Sequence, residues 1–315
     1  MFPRRRLLAY LQLVRISNVF TVISNVAMGF LFVNDSLFPL LGFTALLAAS
    51  VCLYWAGMVL NDVFDVEADR IERPSRPIPA GTIPLRTAMC LGTFLTVAGI
   101  AAGWSACLVY HEPSSQSCRS GVIATLLAGC VWFYDGLAKR TLYGPLAMGT
   151  CRTLNVFLGM SLCPGPSEPF LFGFAASPWC VAAGIGLYVA GITWFARTEA
   201  RLSRRGSLIS GLCWMLAGLS VLSVFPWLGT PTRLSHKAIW PALLGLLAIP
   251  IVRRAASAIV SPTPAQVQAA VKSCLFSLIV LDASVCLAVR GPLYGAALLS
   301  LLVPTIILGH RFRAT

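Results

Sequence analysis

Residues 61–81 read NDVFDVEADRIERPSRPIPAG, and the run before them, 38–60, carries no charged side chain. The chain has 11 Asp and Glu in all, and five of them, Asp62, Asp65, Glu67, Asp69 and Glu72, fall within eleven residues. These acids therefore stand at the mouth of an apolar helix. Steps of three and four keep side chains on one helical face, so the spacing predicts Asp62, Asp65 and Asp69 on one side, with Asn61 one turn from Asp65. Carboxylates that close repel one another unless a cation lies between them. Hard divalent ions such as Mg²⁺ take such oxygens, together with waters and substrate phosphates. Glu67 falls off this face and reads as a solvated charge.

Arg70, Arg73 and Arg76 follow at intervals of three, in a loop stiffened by Pro74, Pro77 and Pro79. A metal to bridge phosphate oxygens and guanidinium forks to pair with the rest are what a polyanionic ligand requires. The competing reading is a charged helix end whose acids and arginines neutralise one another. It suits exposed soluble helices and is weaker here, because charge makes up only 11% of the chain and is costly beside lipid.

The surrounding composition supports a membrane setting. Hydrophobic residues are 57% of the chain and mean hydropathy is +0.79, against about half apolar and a quarter charged in soluble domains. At about 20 apolar residues per span, the length suits a single all-α domain, residues 1–315, of nine or ten transmembrane helices. Expected spans are 14–33, 38–60, 86–109, 120–135, 143–162, 178–196, 207–228, 238–252, 272–289 and 292–309, the last two joined by a tight hairpin at Arg290-Gly291. The net charge of +13 is read as a topological signal. With the N-terminus in the cytosol, twenty of the 24 Lys and Arg fall in inside segments, the bias that the positive-inside rule describes. This places every candidate site on the cytosolic face, in a prokaryotic plasma membrane or an organelle membrane. Nothing soluble is left to carry nucleic-acid binding. The 11 cysteines form no CxxC and the three histidines are scattered, which argues against zinc or haem. The apolar stretch after Arg4-Arg5-Arg6 lacks a small-residue cleavage site and is not read as a cleavable signal.

The stretch at 61–81 resembles the first signature of the UbiA superfamily of intramembrane prenyltransferases, NDxxDxxxD followed by a basic RPxRPxxSG-like loop. Asn61, Asp62, Asp65 and Asp69 match the acids, and Arg73-Pro74, Arg76-Pro77 and Ala80-Gly81 match the loop. A second match is YDGLAKRTLYG, where Tyr134, Lys139 and Arg140 resemble the family's Tyr…Lys-Arg-Thr signature. Within the family the nearest likeness is to the EboC branch, through residues 61–79, 134–146, 152–161, 196–200 and the turn LDAS at 281–284.

The resemblance implies a Mg²⁺-dependent transfer of a prenyl group from a polyprenyl diphosphate to an aromatic or lipid acceptor, with release of pyrophosphate. It implies Asn61, Asp62, Asp65, Asp69 and Glu199 as metal ligands. Arg73, Arg76, Lys139, Arg140, Arg197 and Arg201 would hold the diphosphate, and Asp65, Asp69, Lys139 and Tyr134 would take part in catalysis. The ring of Tyr134 could sit beside a developing cation, since aromatic faces attract cations. Asn18, Arg152 and Asn155 would face the cavity, while Arg15 reads more simply as a topology anchor.

The pattern departs from the family at residues 195–207, FARTEARLSRRGS. The family's second acidic signature, DxxxD, is met only by Glu199; four residues on stands Ser203. A hydroxyl is a poorer ligand than a carboxylate, so a second metal would be weak, or arginines would contact the diphosphate directly. Alternatively, the chain would be a non-catalytic carrier of an isoprenoid or phosphorylated lipid. Asp282 is the one carboxylate in the middle of a span. It reads either as functional or as an acid protonated or hydrogen-bonded to Ser284 or a neighbouring helix.

Overall fold

Apolar runs bounded by Gly, Pro and charged residues become helices, because a backbone in lipid must satisfy its own hydrogen bonds. The computed structural model describes residues 2–109, 118–163, 173–198 and 202–311. Its helices are α1 (Phe2–Leu13), α2 (Val19–Val33), α3 (Leu40–Phe64), α4 (Val66–Glu72), α5 (Leu85–Val109), α6 (Arg119–Gly136), α7 (Gly144–Met160), α8 (Ala176–Ala196), α9 (Arg205–Ser223), α10 (Ile239–Val260), α11 (Pro264–Arg290), α12 (Pro292–Leu299) and α13 (Leu302–Arg311). Among the described residues, eight helical segments are long and apolar enough to cross a membrane. The shorter α6 and α7, of 18 and 17 residues, occupy the two other expected spans. Large apolar side chains such as Phe94, Leu108, Leu126, Leu246 and Leu293 face outward, as an integral membrane protein requires.

Several boundaries differ from the sequence reading for local reasons. The first span begins at Ile16 and its α-helix at Val19, not at residue 14. Arg15 lies in the left-handed region (φ 48°, ψ 56°) and a short 3₁₀ turn, Ile16–Asn18, re-aims the chain. Helix α1 precedes this break, where only a basic end was expected. Helix α11 starts eight residues early, at Pro264, because Pro is well suited to a first helical turn and the Thr263 hydroxyl accepts from the Gln266 N–H. The last span is interrupted between α12 and α13. Pro304 has no N–H to offer the Ser300 carbonyl, so the hydrogen-bond ladder breaks there. The Arg290-Gly291 hairpin is as expected, with Gly291 at φ 92°.

Helices α2, α3, α6, α7, α8 and α11 enclose the interior, and α7 packs on both α2 and α8. The α2–α7 crossing is close because Gly29 and Gly159 face it. A Cβ on Gly159 would run into the Val26 carbonyl, and one on Gly29 into the Val156 carbonyl. Small residues of this kind let membrane helices approach. A second, smaller core lies beside the acid stretch. There Ala9 and Leu13 of α1 meet Val63, Val66, Ile78 and Ile83, bracing the proline-rich loop against the helix ends.

Candidate active site

The acidic stretch is not one continuous helical face. Helix α3 ends at Phe64, and Asp65 sits at φ −95°, ψ 3° before α4 begins. The expected convergence of Asp62, Asp65 and Asp69 is therefore divided. Asp62 and Asp69 turn together, and the loop folds back so that Arg76 Nη1 lies 3.2 Å from Asp62 Oδ1 and 2.6 Å from Asp69 Oδ2. Arg15 Nη2 reaches Asp62 Oδ1 at 3.3 Å. Both acids are only 7% exposed at the side chain, and a buried carboxylate needs such partners. Asp65 turns to the loop after α6, where Lys139 Nζ lies at 2.9 Å and Arg140 Nη2 at 3.5 Å. Lys139 also donates to Asn61 Oδ1 at 3.3 Å, and Arg140 to the Phe64 carbonyl at 3.2 Å. Glu67 pairs with Arg70 on the exposed side, away from this cluster.

The donor set suits a divalent ion of modest protein coordination. Among the described residues, no three Asp, Glu, His or Cys side chains form a metal cage, because the break at Asp65 separates it from the other two. Yet Asp62 and Asp69 already close on a single positive atom, Arg76 Nη1. Mg²⁺ is commonly held by one or two carboxylates, with waters and substrate phosphates completing its shell. Asp62 and Asp69, with Asn61 beside Asp62 and Asp65 one turn on, fit that pattern provided Arg76 moves off the first two and Lys139 off Asp65.

Behind the acids lies a cavity of about 390 Å³. Its polar wall includes Arg15, Asn18, Tyr134, Asp135, Arg152 and Asn155. The three residues expected to face a cavity, Asn18, Arg152 and Asn155, therefore share one, and Tyr134 shares it with them. Asn155 is held by Ser50 Oγ, which donates to its Oδ1 at 2.6 Å. The rest of the wall is mostly apolar, including Leu53, Met58, Leu127, Val131, Ile192 and Leu275. Sequence reasoning favoured a topological role for Arg15 over a ligand role. Its left-handed backbone and its contact with Asp62 place it between the acids and the cavity. The detectable signal was the Arg15/Asn18 pair at the start of a span. Tyr54 of α3 also lines the cavity and was passed over, since an aromatic within an apolar run carries no distinguishing pattern.

The third loop is partly described. Glu199 and Arg201 lie outside the described residues. Arg197 donates to the Thr141 carbonyl at 3.1 Å, so the end of α8 meets the Lys139–Arg140 loop. Ser203 is buried and turns into its own loop, donating to the Thr198 carbonyl at 3.1 Å while the Thr198 hydroxyl donates to it at 2.7 Å. It does not stand among the acids. Arg73 is half-buried at the end of α4, its N–H bonded to the Asp69 carbonyl. Asp282 bonds to α2 and not to Ser284, whose hydroxyl donates to the Val280 carbonyl.

Comparison with known proteins gives the family and the fold. The model of the UbiA prenyltransferase family matches residues 22–279. The chain is similar to digeranylgeranylglyceryl phosphate synthase of Saccharolobus solfataricus, 37% identical over 154 residues, which cover 48% of this chain and 50% of that protein. It is also similar to the synthase of that name from Methanocaldococcus jannaschii, 39% identical over 99 residues, 30% of this chain and 34% of that protein. The chain thus spans about half or less of the length of these curated relatives. A UbiA homologue from Archaeoglobus fulgidus, solved bound to GPP and Mg²⁺, shares the fold at a TM-score of 0.64 and 14% identity, over 93% of this chain and 99% of that one. A structure of digeranylgeranylglyceryl phosphate synthase gives 0.61 at 18% identity, over 91% and 100%. The narrower likeness to the EboC branch rests on its sequence cues alone. With a family match over most of its length and the acid, basic and cavity residues gathered as described, the chain belongs to the UbiA prenyltransferase family.

Proposed function

We propose that this protein transfers a prenyl group from a polyprenyl diphosphate to an acceptor held in the membrane cavity, with Mg²⁺ at Asp62, Asp65 and Asp69. One observation carries the reading: two buried carboxylates and three loops of basic side chains meet beside a mostly apolar cavity, joined to it through Arg15, which lines the cavity and pairs with Asp62. Mg²⁺, when bound, neutralises charge on the leaving diphosphate. Lys139, Arg140, Arg73 and Arg76 would pair with the diphosphate oxygens, Arg76 exchanging its carboxylates for the substrate. Arg197 and, by resemblance, Arg201 and Glu199 would complete that shell. The allylic C–O bond breaks and the diphosphate leaves with the electron pair. An acceptor oxygen or ring carbon then bonds to the prenyl carbon and loses a proton. Tyr134, on the cavity wall, offers its ring to the developing cation, and the apolar wall holds the isoprenoid tail and keeps water out.

The names of the relatives favour a glyceryl phosphate lipid as acceptor over an aromatic acid. The homologous structures with GPP and with DMAPP support the donor class. By the charge bias of the loops, the site faces the cytosol. The test is transfer of label from geranylgeranyl diphosphate into geranylgeranylglyceryl phosphate or into 4-hydroxybenzoate, with and without Mg²⁺. We expect a Mg²⁺-dependent lipid product; absence of any product with either acceptor would overturn the reading. The orientation of Ser203 favours one second reading, a non-catalytic lipid carrier. Mg²⁺-dependent donor binding without release, even with a lipid extract added, would support it.

A further inference from the structure

The carboxylate of Asp282 plays no part in the reaction above, yet it is fully buried in α11. Charge in the middle of a membrane bundle is costly and seldom idle. Ser24 Oγ donates to Asp282 Oδ2 at 2.5 Å. Asn25 Nδ2 donates to both carboxylate oxygens, at 2.8 and 2.7 Å. With its NH₂ on a carboxylate, the Asn25 amide has one orientation, and its Oδ1 points the other way. That oxygen accepts from Arg152 Nη1 at 2.8 Å. Arg152 is held further by Thr21, through Nη1 to its carbonyl at 3.2 Å and Nη2 to its hydroxyl at 3.0 Å.

Arg152 lines the cavity, and its partners here are neutral oxygens. Its counter-charge is Asp282, one amide away. The result is a guanidinium fixed in direction, compensated within the bundle, and presented to the cavity without a carboxylate on it among the described residues. Guanidinium forks recognise phosphate and carboxylate oxygens. A tie that only held α2, α7 and α11 together would need no cation at the cavity wall.

We infer that Asp282 is a positioning residue that, through Asn25, orients and charge-balances Arg152 to receive the anionic head group of the acceptor. This rests on the prenyl-transfer reading for the substrate and adds which buried groups set acceptor affinity. The test uses the full chain in detergent with geranylgeranyl diphosphate as donor. The two acceptor probes, geranylgeranylglyceryl phosphate and 4-hydroxybenzoate, distinguish a phosphate from a carboxylate head group. We expect Asp282→Asn, which keeps shape and hydrogen-bonding capacity, to raise the acceptor KM about tenfold, the loss of roughly one charge-assisted bond. The donor KM should hold. Arg152→Gln should raise the acceptor KM further, and the double variant should be no worse than Arg152→Gln alone, since coupled residues are not additive. Asn25→Ala, which cuts the relay and leaves Asp282 its bond to Ser24, reads the same step if Asp282→Asn does not fold. An unchanged acceptor KM, additive effects, or an equal fall in every parameter with lost stability would overturn the inference. If the wild type transfers to neither probe, the prenyl-transfer reading fails separately. The shift in unfolding temperature with geranylgeranylglyceryl phosphate then tests the relay: weaker binding in Asp282→Asn and Arg152→Gln supports it, and equal or absent binding overturns it.

Discussion

Arg76 is the residue on which the site closes. Its guanidinium holds two buried carboxylates that would otherwise repel each other. Arg76→Gln should therefore destabilise the protein by about 3 kcal/mol, the usual cost of stripping a partner from a buried charge. If a divalent ion belongs between Asp62 and Asp69, Mg²⁺ should raise the unfolding temperature of Arg76→Gln more than that of the wild type, where the arginine competes. Equal shifts in both would argue that the two acids serve the arginine alone. Ser203 gives the opposite kind of prediction. It is buried and bonded within its own turn, so Ser203→Asp should bury an unpaired charge and lower the unfolding temperature. It should leave the Mg²⁺ requirement unchanged. A tighter Mg²⁺ requirement in that variant would return Ser203 to the second acidic signature.

The helices were largely legible in the sequence; the junctions between them were not. Apolar runs marked all ten expected spans, and the acids, prolines and arginines of 61–81 marked a site at one helix end. The break at Asp65 was hidden, because steps of three and four look the same in a straight helix as in a kinked one. The left-handed turn at Arg15 was hidden for a related reason, since a basic residue at a span start is also what orients a membrane helix. The partners of Asp282 lie 257 and 258 residues away in α2, beyond any local pattern. What the helices do need is close approach, and the α2–α7 crossing shows it. Gly159→Ala should push α2 from α7 against the Val26 carbonyl. We expect a loss of about 1–3 kcal/mol from overpacking, seen as a lower unfolding temperature; an unchanged value would mean that the crossing tolerates separation.

The bundle as a whole joins three loops beside a mostly apolar cavity, with Arg15 linking the two. Asp65 of the α3–α4 junction meets Lys139 and Arg140, and Arg197 at the end of α8 reaches the same loop. Prenyl transfer requires that this meeting point activate a prenyl diphosphate. The most direct measurement is pyrophosphate release from geranylgeranyl diphosphate by the purified protein in detergent, with a lipid extract as acceptor source and with Mg²⁺ present or removed by chelation. Release should require Mg²⁺ and be lost, by about a hundredfold or more, in Asp65→Asn and in Asp69→Asn, both variants still folded. Release that persists in both variants, or that is indifferent to chelation, would contradict it.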